Sequence, residues 1–256
     1  MTTPVSLPPA LAVLLQERLK AELFRAEKLE GGVCNVVWRL PTADGLVAVR
    51  IGEPSALQWG ASRHSELAAL EAAYPMGPAV LMADPEAGWL VTEWIHGRHW
   101  SREEAGETAN LQRIARLLAS LHALAPPGGV RRLTLRSTLA ALGAEPDPTT
   151  EAWLTALEEG AQIGLCHNDP HHRNILVDDH TAPRLVDWEY AGIGEVAIDL
   201  AEYANVHQLQ ERERRLLLDA YRAAGGRVSQ LQFEAAGYLC QLRTALWESL
   251  ASKKQS

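Results

Sequence analysis

Cysteine is scarce in this 256-residue sequence: Cys34, Cys166 and Cys240 are the whole supply, odd in number and widely spaced. That excludes a disulfide framework and points to a reducing compartment. Long apolar runs are missing as well. The N-terminal stretch has no basic region, and the run from Ala10 to Leu15 is too short for a signal peptide or a membrane span. Cations are outnumbered, 24 Lys and Arg against 32 Asp and Glu, for a net charge of −8. This argues against a nucleic-acid surface and suits a cationic small molecule. No internal repeat or low-complexity tract stands out. What is present is an ordinary 47% of hydrophobic residues, enough for a sizeable core in two lobes or one large domain. A cytoplasmic protein that binds neither membrane nor nucleic acid is expected, and the sequence is silent on its oligomeric state.

The chain is organised around Leu165–Tyr190, LCHNDPHHRNILVDDHTAPRLVDWEY. Two short apolar runs, 174–177 and 184–186, flank a polar turn at 178–182, the pattern of a β-hairpin. Asp169 lies on the loop before the first run, Asn174 at its start, and Asp187 directly after the second. The hairpin therefore brings Asn174 and Asp187 together, with Asp169 alongside. An amide and a carboxylate at strand ends offer the hard oxygens that Mg²⁺ prefers. Asp169 is then left to take a proton from a hydroxyl, the part a base plays in phosphoryl transfer. Turn composition alone explains Asp178 and Asp179, but not the long polar string entered directly from Gly164-Leu-Cys166. A zinc hydrolase is the chemical alternative, because His167, Asp169, His171 and His172 are close in sequence. It would need further ligands, for which His180 and His207 are poorly placed, and it leaves Asp187 unexplained.

His167-x-Asp169-x-x-x-x-Asn174, followed by Asp187-Trp-Glu189, resembles the catalytic and metal loops of the protein-kinase-like fold. More narrowly, CHND, RLVDWEYAG and IDLA resemble the choline kinase, thiamine kinase and aminoglycoside phosphotransferase group. The resemblance implies an α+β, two-lobed fold: an antiparallel N-terminal nucleotide-binding lobe over 1–95 and a mostly helical lobe over 96–256 with the catalytic loop and acceptor pocket. It implies an ATP- and Mg²⁺-dependent enzyme that phosphorylates a hydroxyl of a small molecule. Asp169 would be the base, Asn174 and Asp187 the Mg²⁺ ligands, and Asp199 a brace for the catalytic loop. His167 is read as a packed anchor of that loop.

The rest of the chain fits this frame. After a short amphipathic helix carrying Leu11, Leu14, Leu15 and Leu19, strands are expected over 24–29, 35–40 and 46–49. Gly31 and Gly32 in the first turn are a candidate phosphate cover, since a backbone without Cβ atoms can approach phosphate oxygens. They also read as a plain hairpin turn. Arg50 stands where protein kinases place a phosphate-binding lysine, and the helix over 62–73 offers Glu66 as its partner, with Leu67, Leu70 and Tyr74 marking the buried face. A second hairpin, 80–83 and 89–95, ends in Glu93, Trp94 and Ile95, which resemble the hinge whose backbone binds adenine; an edge strand is the plainer reading. A capping box at Ser101-x-x-Glu104 opens a helical run to His122. Helices are further expected over 134–142, 150–159, 196–208, 211–224 and 229–252.

The acceptor is less legible. Eight tryptophans suit a quaternary ammonium, which aromatic faces hold by cation–π attraction. Trp153, Trp247, Tyr190 and Tyr238 are candidates for such a pocket, although tryptophan more often fills cores. A choline-like alcohol is expected ahead of thiamine, and both ahead of aminoglycosides. An aminoglycoside would draw on Glu202, Glu234 and Glu248, which also read as exposed helix residues. Pro170 and the Glu195-Val-Ala string depart from the family pattern.

Overall fold

The computed structural model describes residues 7–29, 35–52, 61–178 and 182–254. Five strands form one antiparallel sheet in the order β1-β2-β3-β5-β4. They are β1 (Glu27–Lys28), β2 (Asn35–Thr42), β3 (Gly45–Gly52), β4 (Val80–Asp84) and β5 (Trp89–Glu93). The expected strand from Phe24 is instead a 3₁₀ turn, Leu23–Arg25, followed by two strand residues. Strand β5 stops at Glu93, so Trp94 and Ile95 lie just past its end. Alternation along β2 and β3 buries Trp38, Leu40, Val47 and Val49 on one face, under Leu11 and Leu15 of helix α1 (Pro9–Leu19). The same alternation turns Arg50 to the other face.

That face is met by helix α2 (Arg63–Ala73), whose N-cap Ser62 accepts the Ser65 N–H and whose first turn holds Glu66. Its buried positions are Ser65, Glu66, Ala69, Leu70 and Ala73. Tyr74, expected on this face, is 58% exposed because it follows the helix in extended backbone. Ala69, Leu70 and Ala73 join the larger core, which also takes in Trp100, Trp188 and most of the later helices.

Past β6 (Arg98–His99) the chain is mainly helical: α3 (Arg102–Gly106), α4 (Thr108–His122), α5 (Leu135–Ala141), α6 (Pro148–Glu158), α7 (Ala197–Val206), α8 (Glu211–Ala223) and α9 (Gln230–Lys254). The capping box at Ser101 and Glu104 forms as expected, but it opens the one-and-a-half-turn α3 and not the long helix. Extended backbone at Glu107 separates the two. Ser229 and Gln232 form the other expected capping box, at the start of α9. Two strands not anticipated from sequence, β7 (Ile163–Cys166) and β10 (Gly192–Glu195), pair antiparallel and enclose the segment that carries Asp169, Asn174 and Asp187. Inside them the hairpin of β8 (Ile175–Val177) and β9 (Arg184–Leu185) pairs through Ile175–Leu185 and adds β6 as a third strand.

Candidate active site

The site is built on the loop between β7 and β8 and on the residues after β9. Asp199, fully buried near the start of α7, accepts the backbone N–H groups of His167 (2.8 Å) and Asn168 (2.7 Å). Burial pushes its carboxyl up, but the His122 hydrogen bond and those backbone N–H groups hold it below the usual range. His122 Nε2 donates to Asp199 Oδ2 at 3.0 Å, and its Nδ1 meets the Tyr221 hydroxyl at 2.8 Å. The expected brace is therefore one member of a buried chain from α8 through α4 to the loop. His122 and Tyr221 had no signal in the sequence beyond a polar residue closing an apolar stripe. His167 packs edge-on against Trp188 and gives its Nε2 proton to the Val186 carbonyl at 3.0 Å, an anchor as expected.

Asn168 is held at φ +66°, a left-handed conformation that asparagine tolerates, and its side chain ties to the Tyr190 carbonyl. This turn presents Asp169. Asn174 Nδ2 donates to Asp169 Oδ2 at 2.9 Å, so the amide oxygen of Asn174 is left for another partner. Burial, helped by the carboxylates of Asp187 and Glu202, pushes Asp169 up to about 8, against the pull of Arg243 and Asn174. Such a carboxyl is tuned to exchange a proton near neutral pH.

Asp187 also stands at positive φ, +64°. Its Oδ1 lies 3.2 Å from Arg50 Nη1, while Arg50 Nη2 forms an ion pair with Glu66. Burial alone would lower the Arg50 pKa, but Glu66 and Asp187 raise it above the ordinary arginine value. Glu189 is buried and accepts from Asn35 Nδ2 at 2.9 Å. Burial and the Asp187 carboxylate push its pKa up. Thus Arg50, Glu66 and Asp187 form one linked group and Asp169 and Asn174 another, brought side by side by the Val186 N–H bond to the Asn174 carbonyl; Asn35, the partner of Glu189, was not singled out by sequence reasoning. The Asn174 amide oxygen and the Asp187 carboxylate are hard oxygens on adjacent chain segments, a donor set that fits Mg²⁺.

The other expected positions are placed less simply. Gly31 and Gly32 lie outside the described residues. The Glu93 carboxylate takes the Ala79 N–H and forms an ion pair with Arg184, and the N–H groups of Glu93 and Trp94 are spent on Ala79 and Leu46. Any hinge contact from this segment therefore falls to its carbonyls and to Ile95.

Among the described residues, which leave out His180, the zinc alternative is not assembled. His167 faces Val186, His172 faces His207 at 3.2 Å, and His171 Nε2 lies 3.5 Å from Asp169. Among the described residues, His122, Cys166 and Asp199 do bring ligand atoms within 4.8 Å of one another, but Asp199 already serves the loop and His122. Of the acids considered for an acceptor pocket, Glu234 and Glu248 are exposed, whereas Glu202 is buried against Arg243 at 2.6 Å. Trp38, Trp100 and Trp188 are core residues. Trp153 and Tyr238 stack on each other at 5.7 Å, and Trp247 is 42% exposed.

The sequence pattern of the phosphotransferase enzyme family matches residues 25–231. A thiamine kinase of Salmonella paratyphi A is 33% identical over 180 residues, which cover 66% of this chain and 60% of the relative. Among solved structures, a choline kinase from Streptococcus pneumoniae is 18% identical with a TM-score of 0.75, over 96% of this chain and 91% of that one. A choline/ethanolamine kinase family protein from Mesorhizobium loti is 21% identical with a TM-score of 0.72, over 96% and 87%. A macrolide 2'-phosphotransferase from Brachybacterium faecium is 20% identical with a TM-score of 0.70, over 96% and 93%. These likenesses show the expected α+β fold, protein-kinase-like in its arrangement of strand-rich and helical parts. The sequence match spans less than two thirds of the thiamine kinase's own length.

Proposed function

The chain belongs to the phosphotransferase enzyme family, and we propose that it transfers the terminal phosphoryl group of ATP to the hydroxyl of a small cationic alcohol. The observation that carries this reading is the pairing of Asp169 with Asn174 at 2.9 Å, beside an Asp187 that Arg50 links to Glu66. In this reading Asp169 is the base that receives the acceptor's proton. Its raised pKa suits that work, since a carboxyl near neutrality combines an adequate ionised fraction with adequate basicity. Arg50, fixed by Glu66, offers the nucleotide phosphates a preorganised cation. Asn174 and Asp187 would hold Mg²⁺, which when bound neutralises charge on phosphate oxygens. An AMP complex of the pneumococcal choline kinase supports nucleotide as the donor.

For the acceptor, thiamine moves ahead of choline. Thiamine kinases are among the sequence relatives. The aromatic residues considered for an ammonium cage support it weakly, two of them being paired with each other. The deciding experiment measures ADP release with thiamine, choline, ethanolamine, homoserine and kanamycin, each with and without Mg²⁺. Mg²⁺-dependent turnover of thiamine is expected. Turnover of kanamycin alone would reverse the assignment of the acceptor, and no turnover of any alcohol would refute the reading.

A further inference from the structure

Helix α7 runs alongside the catalytic loop and is fastened to it at both ends. Near its start Asp199 takes the Asn168 N–H at 2.7 Å. At its C-cap, His207 Nε2 takes the His172 N–H at 3.2 Å. Glu202 falls between these fastenings, three residues after Asp199, and three residues along a helix is the same side. It therefore lies on the side of the helix that Asp199 turns to the loop. Its carboxylate is held by Arg243 of α9 at 2.6 Å, with the two side chains 12% and 18% exposed. The Asp169 carboxyl senses both charges. Among the described residues the Arg243 guanidinium makes only this one hydrogen bond, and an arginine has five N–H donors.

A charge pair almost out of water, with donors to spare beside the catalytic carboxyl, is an expensive way to join two helices. We propose that Glu202 and Arg243 together form the recognition edge of the acceptor site, for an alcohol whose far end carries an amino group next to a ring nitrogen. The Glu202 carboxylate also accepts from the Cys240 thiol, but its lone pairs outnumber these two bonds, so the pair would present an acceptor oxygen beside N–H donors. An amino group beside an unprotonated ring nitrogen presents the complement, donor beside acceptor. A simple quaternary ammonium has neither and gains nothing from the pair. The inference rests on the phosphotransferase reading above and narrows its acceptor class, since the aminopyrimidine of thiamine has such an edge and choline does not.

The test compares kcat/KM of the full chain, with Mg²⁺ and ATP, for three acceptors. These are thiamine, the analogue with oxygen in place of the 4-amino group, and the bare hydroxyethylthiazolium. The oxygen analogue reverses donor and acceptor, and the bare ring has neither. Thiamine is expected to exceed both by about 10- to 100-fold, the range for a buried site whose polar groups are left unpaired by the wrong ligand. In Glu202→Gln, Arg243 takes the amide oxygen and leaves an NH₂ facing the substrate's amino group, so the preference is expected to shrink to about threefold or less. Equal use of the three acceptors by the unaltered protein would overturn the proposal, and that comparison needs no variant. So would a Glu202→Gln protein that loses the same factor on every acceptor, the mark of a pair that only ties α7 to α9. If no alcohol is phosphorylated at all, the phosphotransferase reading fails first and the recognition edge falls with it.

Discussion

Asn168 gives its backbone N–H to Asp199 Oδ1 at 2.7 Å while its own φ of +66° turns the chain toward Asp169. A buried carboxylate on a helix thereby fixes the direction of a residue that it does not touch. Asp199→Ala would strand the His167 and Asn168 N–H groups and leave His122 without its partner. A loss of roughly 3–5 kcal/mol is expected, the cost of breaking a buried charged network. Urea unfolding followed by circular dichroism measures it. A loss of under about 1 kcal/mol, typical of an exposed pair, would contradict the network.

Asp169→Asn is expected to lower kcat by about 10²–10⁴-fold, the usual contribution of a general base, with nucleotide affinity little changed. Isothermal titration with ATP and single-turnover kinetics separate the two effects. Protonated Asp169 cannot receive a proton, and its pKa is raised to about 8. At subsaturating nucleotide, kcat/KM should therefore climb as pH rises through that value and level off above it. A rate independent of pH between 6 and 9 would remove Asp169 from the role.

Arg50 reaches Glu66 with one terminal nitrogen and Asp187 with the other. A lysine is a point charge and cannot span both. Arg50→Lys is expected to raise the KM for ATP by roughly tenfold, worth about 1.4 kcal/mol of binding. Asp187→Ala should raise the Mg²⁺ concentration needed for half-maximal rate by at least as much. Titration of each variant with ATP and Mg²⁺ checks both, and an unaltered Mg²⁺ requirement in Asp187→Ala would place the metal elsewhere.

His207 is buried, and burial lowers its pKa from 6.5 to about 4. A depressed folded-state pKa gives stability that is complete above the unfolded value and is lost as pH falls toward the folded one. Between pH 6.5 and about 4 this residue should cost the fold up to about 3 kcal/mol. His207→Gln keeps a donor for the Tyr203 carbonyl and an acceptor for the His172 N–H without the titration. Its unfolding free energy should fall less across that window. Parallel curves for the two proteins would contradict the assignment.

The constellation of Asp169, Asn174 and Asp187 was legible because a short hairpin forces its ends together whatever surrounds it. The Arg50–Glu66 pairing was legible for a similar reason, since strand alternation and helix position leave the two little choice. Legibility ended where contacts span distant helices. The pairing of His122 with Asp199 joins residues 77 apart, and that of Glu202 with Arg243 joins residues 41 apart. No local pattern encodes either. Glu202 looked like an exposed helix acid until α9 covered it. The short strands β7 and β10 escaped notice because Gly164, Gly192 and Gly194 dilute their apolar pattern. Their close packing supplies the reason for the glycines: a Cβ at Gly194 would meet the Leu133 carbonyl oxygen at 2.3 Å.

Arg184 of β9 binds both Glu93 of β5 and the Gly77 carbonyl, and the Leu185 N–H bonds the Met76 carbonyl at 2.8 Å. Ser65 of α2 donates to the Ala191 carbonyl at 3.1 Å, and the Ser62 N–H reaches the Glu189 carbonyl. Asn35 of β2 and Arg50 of β3 add two more links, to Glu189 and Asp187. The sheet is thus fastened to the later part of the chain at several independent points around Arg50, so the spacing of Arg50 from Asp187 is set by all of them and not by their own contact alone.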